Sequence, residues 1–214
     1  MRSILYALAA ILAPLNSACA AESTANTAAS PCELHVWPSG PLRSTYYGWV
    51  HGGIVDGSVQ GRPGYPKLPD QPLTTARQVE ILNGPDLPAM LGLPGFRTVL
   101  HDQPLESRVL RGTVGRILAN SPPCYAELAI DDVFFQADVF SGAYLKTLVR
   151  FRRFDAGDTP TRTFGTIATE KLTQFPPTKS DANPADAVAE LSAAFGKSLS
   201  DFGRMLTAPP KRKH

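Results

Sequence analysis

The sequence predicts an α+β fold: a mostly antiparallel sheet packed by a long C-terminal amphipathic helix, with one or two shorter helices. Three observations carry this. Leu145, Thr147, Val149 and Phe151 alternate with Lys146, Leu148, Arg150 and Arg152, and Val133, Phe135, Ala137 and Val139 share one face of the preceding run. A period of two marks strands with one buried face. Val188, Leu191, Phe195, Leu199, Phe202 and Leu206 recur at helical spacing and form one apolar stripe. Finally, 43% hydrophobic and 19% charged residues are the proportions of a packed protein, while 20 Pro and 17 Gly call for many turns.

Taken in order, the chain opens on an export signal. Met1-Arg2 is positive, Ile4 to Leu15 is uncharged, and Ala18-Cys19-Ala20 supplies small residues for cleavage. Residues 1–20 therefore read as a secretory signal peptide. The apolar run is shorter than the roughly 20 residues that a membrane span needs, so no transmembrane segment is expected after cleavage. The expected location is periplasmic or secreted. The alternative is an outer-membrane lipoprotein anchored through Cys19, although the Leu expected three residues before that Cys is replaced by Asn16. Residues 21–31, rich in Ala, Ser and Thr, read as a disordered linker. Residues 32–207 form a single α+β domain and residues 208–214 a basic tail.

Cleavage leaves Cys32 and Cys124, an even pair in an oxidising compartment, which predicts one disulfide. Each directly precedes a strand candidate, Glu33 to Trp37 and the strand opening at Tyr125. A bridge there sets two strands beginning at the same end, hence parallel. The Cys32-x-x-His35 spacing lacks a second pair to complete a metal site.

Tyr46 to Gly61 carries glycines at four-residue intervals and predicts a short helix pressed on the sheet, with a glycine-rich loop as alternative. Gly61 to Pro72 is loop. Thr75 with Gln78 fits a capping box, so a short helix begins there. Asp86 caps a further turn with Pro88 inside it. Phe96 to His101, Arg108 to Leu118 and Thr161 to Thr173 read as strands. In the central hairpin a connection at Ser141 to Ala143 sets Val139 opposite Leu145, Phe135 opposite Val149 and Val133 opposite Phe151. It also pairs Asp138 with Lys146 and Asp132 with Arg152. The closing helix starts at Asn183 as N-cap with Pro184 in its first turn, and Gly196 and Gly203 mark close approach to a neighbour.

A signal peptide, a small antiparallel sheet and a long closing amphipathic helix together resemble small envelope proteins of Gram-negative bacteria. These include auxiliary lipoproteins of ABC-type transport systems and of lipopolysaccharide assembly. The resemblance is architectural, covers roughly the second half of the chain, and implies no functional residues.

For function, a net charge of +2 does not point to nucleic acid. His51-Gly52-Gly53 has the make-up of an oxyanion-hole loop, but no Gly-x-Ser-x-Gly elbow accompanies it. No His-Glu-x-x-His and no phosphate-cradling glycine loop occur, so neither metal nor cofactor is expected. Asp131-Asp132 reads as a solvated strand face or as cross-strand partners for arginine rather than a paired-carboxylate site. Lys146, Arg150, Arg152 and Arg153, with Arg108, Arg111 and Arg116, give the sheet a basic outer side. The reading is a non-enzymatic envelope protein that binds a protein partner or anionic lipid, with Lys146, Arg150, Arg152, His51 and Asp56 as candidate contacts. The alternative is a secreted hydrolase using His35, His51 or His101 with a nearby carboxylate. The apolar stripe of the last helix could also serve as an exposed docking surface instead of core.

Overall fold

The computed structural model describes residues 32–47, 55–56, 69–138, 141–177 and 183–209. Residues 1–31, read above as signal peptide and linker, and residues 210–214 lie outside them. Seven strands form one mixed sheet: β1 (Cys32–Trp37), β2 (Arg43–Tyr47), β3 (Val55–Asp56), β4 (Phe96–Leu100), β5 (Tyr125–Asp138), β6 (Gly142–Phe154) and β7 (Arg162–Leu172). Four helices accompany it: α1 (Thr75–Leu82), α2 (Leu87–Met90), α3 (Ser107–Gly112) and α4 (Pro184–Thr207). The fold is α+β as predicted, but the sheet is mixed. β1 runs parallel to both β4 and β5, and β2 runs parallel to β5, whereas β5–β6, β6–β7 and β2–β3 are antiparallel.

β5 is the spine. It pairs with β6 along one edge, and along the other with β1 over its first half and β2 over its second. Cys32 and Cys124 are bridged with Cα atoms 4.7 Å apart, and Glu33 lies opposite Tyr125 in a parallel ladder, as the cysteine placement predicts. β1 is buried on both faces: Leu34 and Val36 face the helices, while His35 and Trp37 are also buried on the other side. Burial on both faces is the usual state of a parallel strand.

The hairpin register differs from the prediction. Phe135 lies opposite Leu145 and Val133 opposite Thr147, a slip of four residues along β6, and Asp138 pairs with Gly142. An even slip leaves every side chain on its predicted face. Val139 falls outside the described residues. A bulge at Asp131, between the pairs Ile130–Val149 and Asp132–Leu148, adds one residue to β5. It lets Leu128 and Ile130 share the buried face with Val133 and Phe135 even though their numbers differ in parity.

One face of the sheet carries α4, with α1 and α2 packed beside it. Leu191, Phe195, Leu199, Phe202 and Leu206 are all buried in the core with Val133, Phe135, Leu145, Val149 and Phe151. The stripe is therefore core, not an exposed docking surface. Asn183 Oδ1 accepts from the Ala185 N–H at 3.0 Å, and Arg162 donates to the Leu206 carbonyl at the other end. Glu190 ties α4 to the turn after β7: its carboxylate accepts from the backbone N–H groups of Thr173, Gln174 and Phe175 at 2.8, 2.8 and 2.9 Å. Gly203 marks the close approach. A Cβ there would lie 2.7 Å from Met90 Cγ and 2.8 Å from its carbonyl oxygen, whereas at Gly196 the nearest atom is Ile81 Cγ2 at an ordinary 3.6 Å.

Three local expectations are corrected. α1 is capped by Thr74, one residue before the predicted position, and Gln78 does not close a capping box. Fully buried, Gln78 instead accepts from the Ser39 N–H at 2.9 Å and donates to the Gly40 carbonyl at 2.9 Å, fixing the turn after β1. Arg108 to Leu118 is not a strand; it begins in α3 and continues as irregular chain across the sheet's other face. In the glycine-rich segment, Val55 pairs with Tyr46 in an antiparallel ladder, so residues 46–47 and 55–56 are strand and not helix. Residues 48–54, including His51, and 57–61 lie outside the described residues.

Candidate functional site

The second face of the sheet, opposite the helices, holds the polar chemistry. Its lower part is covered by α3 and the chain leading into β5, and the upper part of β5–β6–β7 has no second layer among the described residues.

Strand alternation sends Tyr125, Glu127 and Ala129 of β5 to this face, and the Asp131 bulge adds its carboxylate. Opposite them stand Arg150 and Arg152 of β6. Arg152 Nε donates to Glu127 Oε2 at 2.6 Å, and its Nη1 donates to the Thr113 carbonyl at 2.6 Å. Arg150 Nε donates to Asp131 Oδ2 at 2.7 Å, and Ser107 Oγ of α3 donates to the other oxygen at 2.5 Å. Asp131 is fully buried, and burial pushes its carboxyl up. The hydrogen bonds from Ser107 and Arg150, with the nearby positive charges, outweigh this and hold it below the usual range. Asp132 pairs with Arg43. The two adjacent aspartates thus serve separate arginines, and Asp132 meets Arg43 rather than the predicted Arg152. Arg116 is a staple: it donates to the carbonyls of Gly157, Pro122 and Pro123 and lies over the rings of Tyr125 and Phe154.

Of the candidate contacts, Arg150 and Arg152 are therefore engaged in internal ion pairs. Lys146 is different. It lies between Phe134 and Thr169 on the open upper face, and neither it nor Lys171, across from Tyr144, has an ion-pair partner among the described residues. Phe134, Tyr144 and Leu148 are half-buried around it, and Ile167 is 49% exposed. Asp56 lies in β3, antiparallel to Thr45, away from Lys146. His51 lies outside the described residues.

A cleft of about 250 Å³ opens between α3 and the β5–β6–β7 sheet. Its floor is two cross-strand rows, Ala129–Arg150–Gly165 and Glu127–Arg152–Thr163. Leu110 and Arg111 of α3, with Ile117, form the facing wall. The sequence reading missed this cleft. The small residues at 129 and 165 flanking Arg150 were its only trace, and only the register reveals them.

A further cluster lies on β1 and β4's exit. His35 Nε2 lies 3.0 Å from Glu33 Oε2, and its Nδ1 lies 2.9 Å from His101 Nε2. A carboxylate can only accept, so His35 carries its proton on Nε2, and in the neutral pair His101 donates to His35 Nδ1. Trp37 stacks on His101 at 4.4 Å. The hydrolase alternative requires a His beside a carboxylate, and His35 meets that condition. Both its nitrogens are already engaged, and no Ser, Thr or Cys side chain bonds either ring among the described residues. Also among the described residues, no group of three His, Cys, Asp or Glu side chains is placed to hold a metal ion.

This cluster sets a pH dependence. Burial, and secondarily the neighbouring His35, lowers the pKa of His101 from 6.5. The unfolded chain then binds a proton at a pH where the folded chain does not, so stability present above about pH 6.5 falls as pH drops through the folded value. The carboxyls of Glu33, Asp131, Glu190 and Asp201 are also held low, so further stability is lost below about pH 4. Urea unfolding midpoints measured at descending pH are expected to fall in two stages. His101→Gln should remove the upper stage and leave the lower. A flat profile between pH 8 and 5 would contradict the assignment.

No known family profile matches the sequence, and no curated protein is similar to it. Among the described residues no helix is long and apolar enough to cross a membrane. Solved structures to which the chain is similar include two of low identity. One, a protein from Xanthomonas campestris assigned to the DUF330 family, is 11% identical with a TM-score of 0.39, over 83% of this chain and 81% of its own. The other, described as an uncharacterized protein, is 12% identical with a TM-score of 0.34, over 82% of this chain and 88% of its own. Both scores lie below 0.5.

Proposed function

We propose that this is a non-enzymatic cell-envelope protein, exported to the periplasm, that docks on an anionic lipid surface through the open upper face of β5–β6–β7. One observation carries the reading. Among the described residues Lys146 and Lys171 have no ion-pair partner, on a face that also offers Phe134, Tyr144, Leu148 and Ile167, while Arg150, Arg152 and Arg116 are engaged within the fold. Lysines beside half-exposed apolar and aromatic side chains suit the interface of a membrane with anionic headgroups. The disulfide is in keeping with an oxidising compartment.

The test is flotation with vesicles of phosphatidylcholine containing phosphatidylglycerol, against phosphatidylcholine alone. The wild-type chain should float only with the anionic vesicles, and salt should weaken binding. Each lysine near such a surface contributes about 1 kcal/mol, so Lys146→Glu/Lys171→Glu should weaken binding by roughly 30-fold or more. Equal flotation on neutral vesicles, or none of the charge dependence, would overturn the lipid reading. Lysine-dependent capture of an envelope protein without flotation would replace lipid by a protein partner. Intact mass of the mature chain bears on the location: a start after Ala20 fits a free periplasmic protein, and a diacylglyceryl-modified Cys19 fits an outer-membrane lipoprotein.

A further inference from the structure

We infer that the cleft between α3 and the β5–β6–β7 sheet is a binding site for a small amphiphilic anion, a phosphate or carboxylate carried on an apolar group. The inference does not depend on the membrane reading.

Three features of the cleft support it. The first is unspent donor capacity. Arg152 is spent within the fold, its Nε and Nη2 both 2.6 Å from Glu127 Oε2 and its Nη1 on the Thr113 carbonyl, so the free donors belong to its neighbours. Arg150 spends only Nε on Asp131, and Arg111 sits 3.6 Å from that carboxylate with its side chain 61% exposed. Their outer nitrogens are therefore available to grip oxygen atoms in a fork.

The second is charge. Three guanidiniums, Arg111, Arg150 and Arg152, face two carboxylates, Glu127 and Asp131, leaving one uncompensated positive charge (three minus two). That balance fits a single negative charge and resists a cation.

The third is shape. Ala129 and Gly165 flank Arg150 in one cross-strand row, so the floor is low on either side of the guanidinium. Leu110 and Ile117 supply an apolar wall above it. An anionic head can sit on the arginines while an apolar stem lies over the small residues. The volume of about 250 Å³ limits the occupant to less than the usual drug-sized ligand.

The test uses decyl phosphate below its micelle concentration, titrated calorimetrically into the full mature chain, with inorganic phosphate and decyltrimethylammonium as controls. Decyl phosphate should bind, and neither control should match it. Gly165→Val fills the floor. A Cβ at 165 meets its nearest atoms, the Val149 carbonyl oxygen and Arg150 Cγ, at 3.7 and 3.9 Å, so the variant should fold with an unchanged melting temperature. It should bind at least about tenfold more weakly, as should Arg111→Gln, whose guanidinium stands largely in solvent. Lys146→Glu/Lys171→Glu, the pair that tests vesicle docking, should leave decyl phosphate affinity unchanged. Absence of decyl phosphate binding to the wild type would overturn the inference. So would undiminished binding by folded Gly165→Val, or inorganic phosphate binding as tightly as decyl phosphate. Loss of vesicle flotation alone would leave it standing.

Discussion

Phe195→Ala is expected to lower stability by about 3–5 kcal/mol, a large part of the whole for a domain of this size. Phe195 lies fully buried on α4, in the middle of the cluster that joins the helix to β5 and β6. Truncation removes the ring's transfer free energy and leaves a cavity. The surrounding elements cannot collapse into it cheaply, because α4 is fixed at three places. Arg162 holds its C-terminal end, Glu190 holds its first half to the turn after β7, and Gly203 sits directly against Met90. Phe202→Ala, one heptad on and packed against Phe164 at 5.4 Å between ring centres, should cost a similar amount. Both are measured by urea unfolding. An unchanged midpoint for either, accompanied by loss of vesicle flotation, would mean that the helix face is a docking surface and not the core.

Removing the Cys32–Cys124 bridge is expected to cost about 4 kcal/mol in the chain-entropy account, since the bridge closes a loop of 92 residues. The loop contains β1, β2, β3, α1, α2, β4 and α3. The bridge stands at the start of β1, where the strand enters its parallel ladder with β5. A parallel ladder between distant segments cannot form through a short turn, so all of its closure entropy is lost on folding. Cys32→Ala/Cys124→Ala should therefore lower the urea midpoint strongly, and reduction of the wild type should reproduce the double variant. Should the double variant unfold at the wild-type midpoint, the ladder would be held by its flanking strands alone and the bridge would be incidental.

Much of this architecture can be read along the chain because the relevant patterns are local. The stripe from Val188 to Leu206 fixes one helix face whatever that face meets. Asn183 and Pro184 fix where the helix begins. The alternation from Leu145 to Phe151 fixes which side chains of β6 are buried. The two cysteines, each placed just before a strand, are enough to set β1 parallel to β5. The capping residue Asp86 likewise announces α2.

Register and second-face chemistry were decided by tertiary structure. A slip of four residues keeps every apolar side chain of β6 on its own face, so hydrophobic pattern cannot choose between the two registers. Exposed ion pairs contribute at most about 1 kcal/mol, too little for Asp138–Lys146 or Asp132–Arg152 to fix one. The register that forms instead joins Glu127 to Arg152 and Asp131 to Arg150, while Asp132 meets Arg43 across the β2–β5 ladder. Its trace was the spacing of Leu128, Ile130, Val133 and Phe135, which breaks period two at the Asp131 bulge. The Arg108 to Leu118 segment kept too little periodicity to be told apart, and Val114 stands 88% exposed within it. The cleft lay furthest out of reach. Its parts, Leu110, Ala129, Arg150 and Gly165, come from four separate segments, and only pairing β5 with β6 and β6 with β7 under α3 brings them together. Local patterning determines which face a side chain takes. Which distant residue it meets there depends on long-range pairing, whose closure entropy and packing belong to the whole chain.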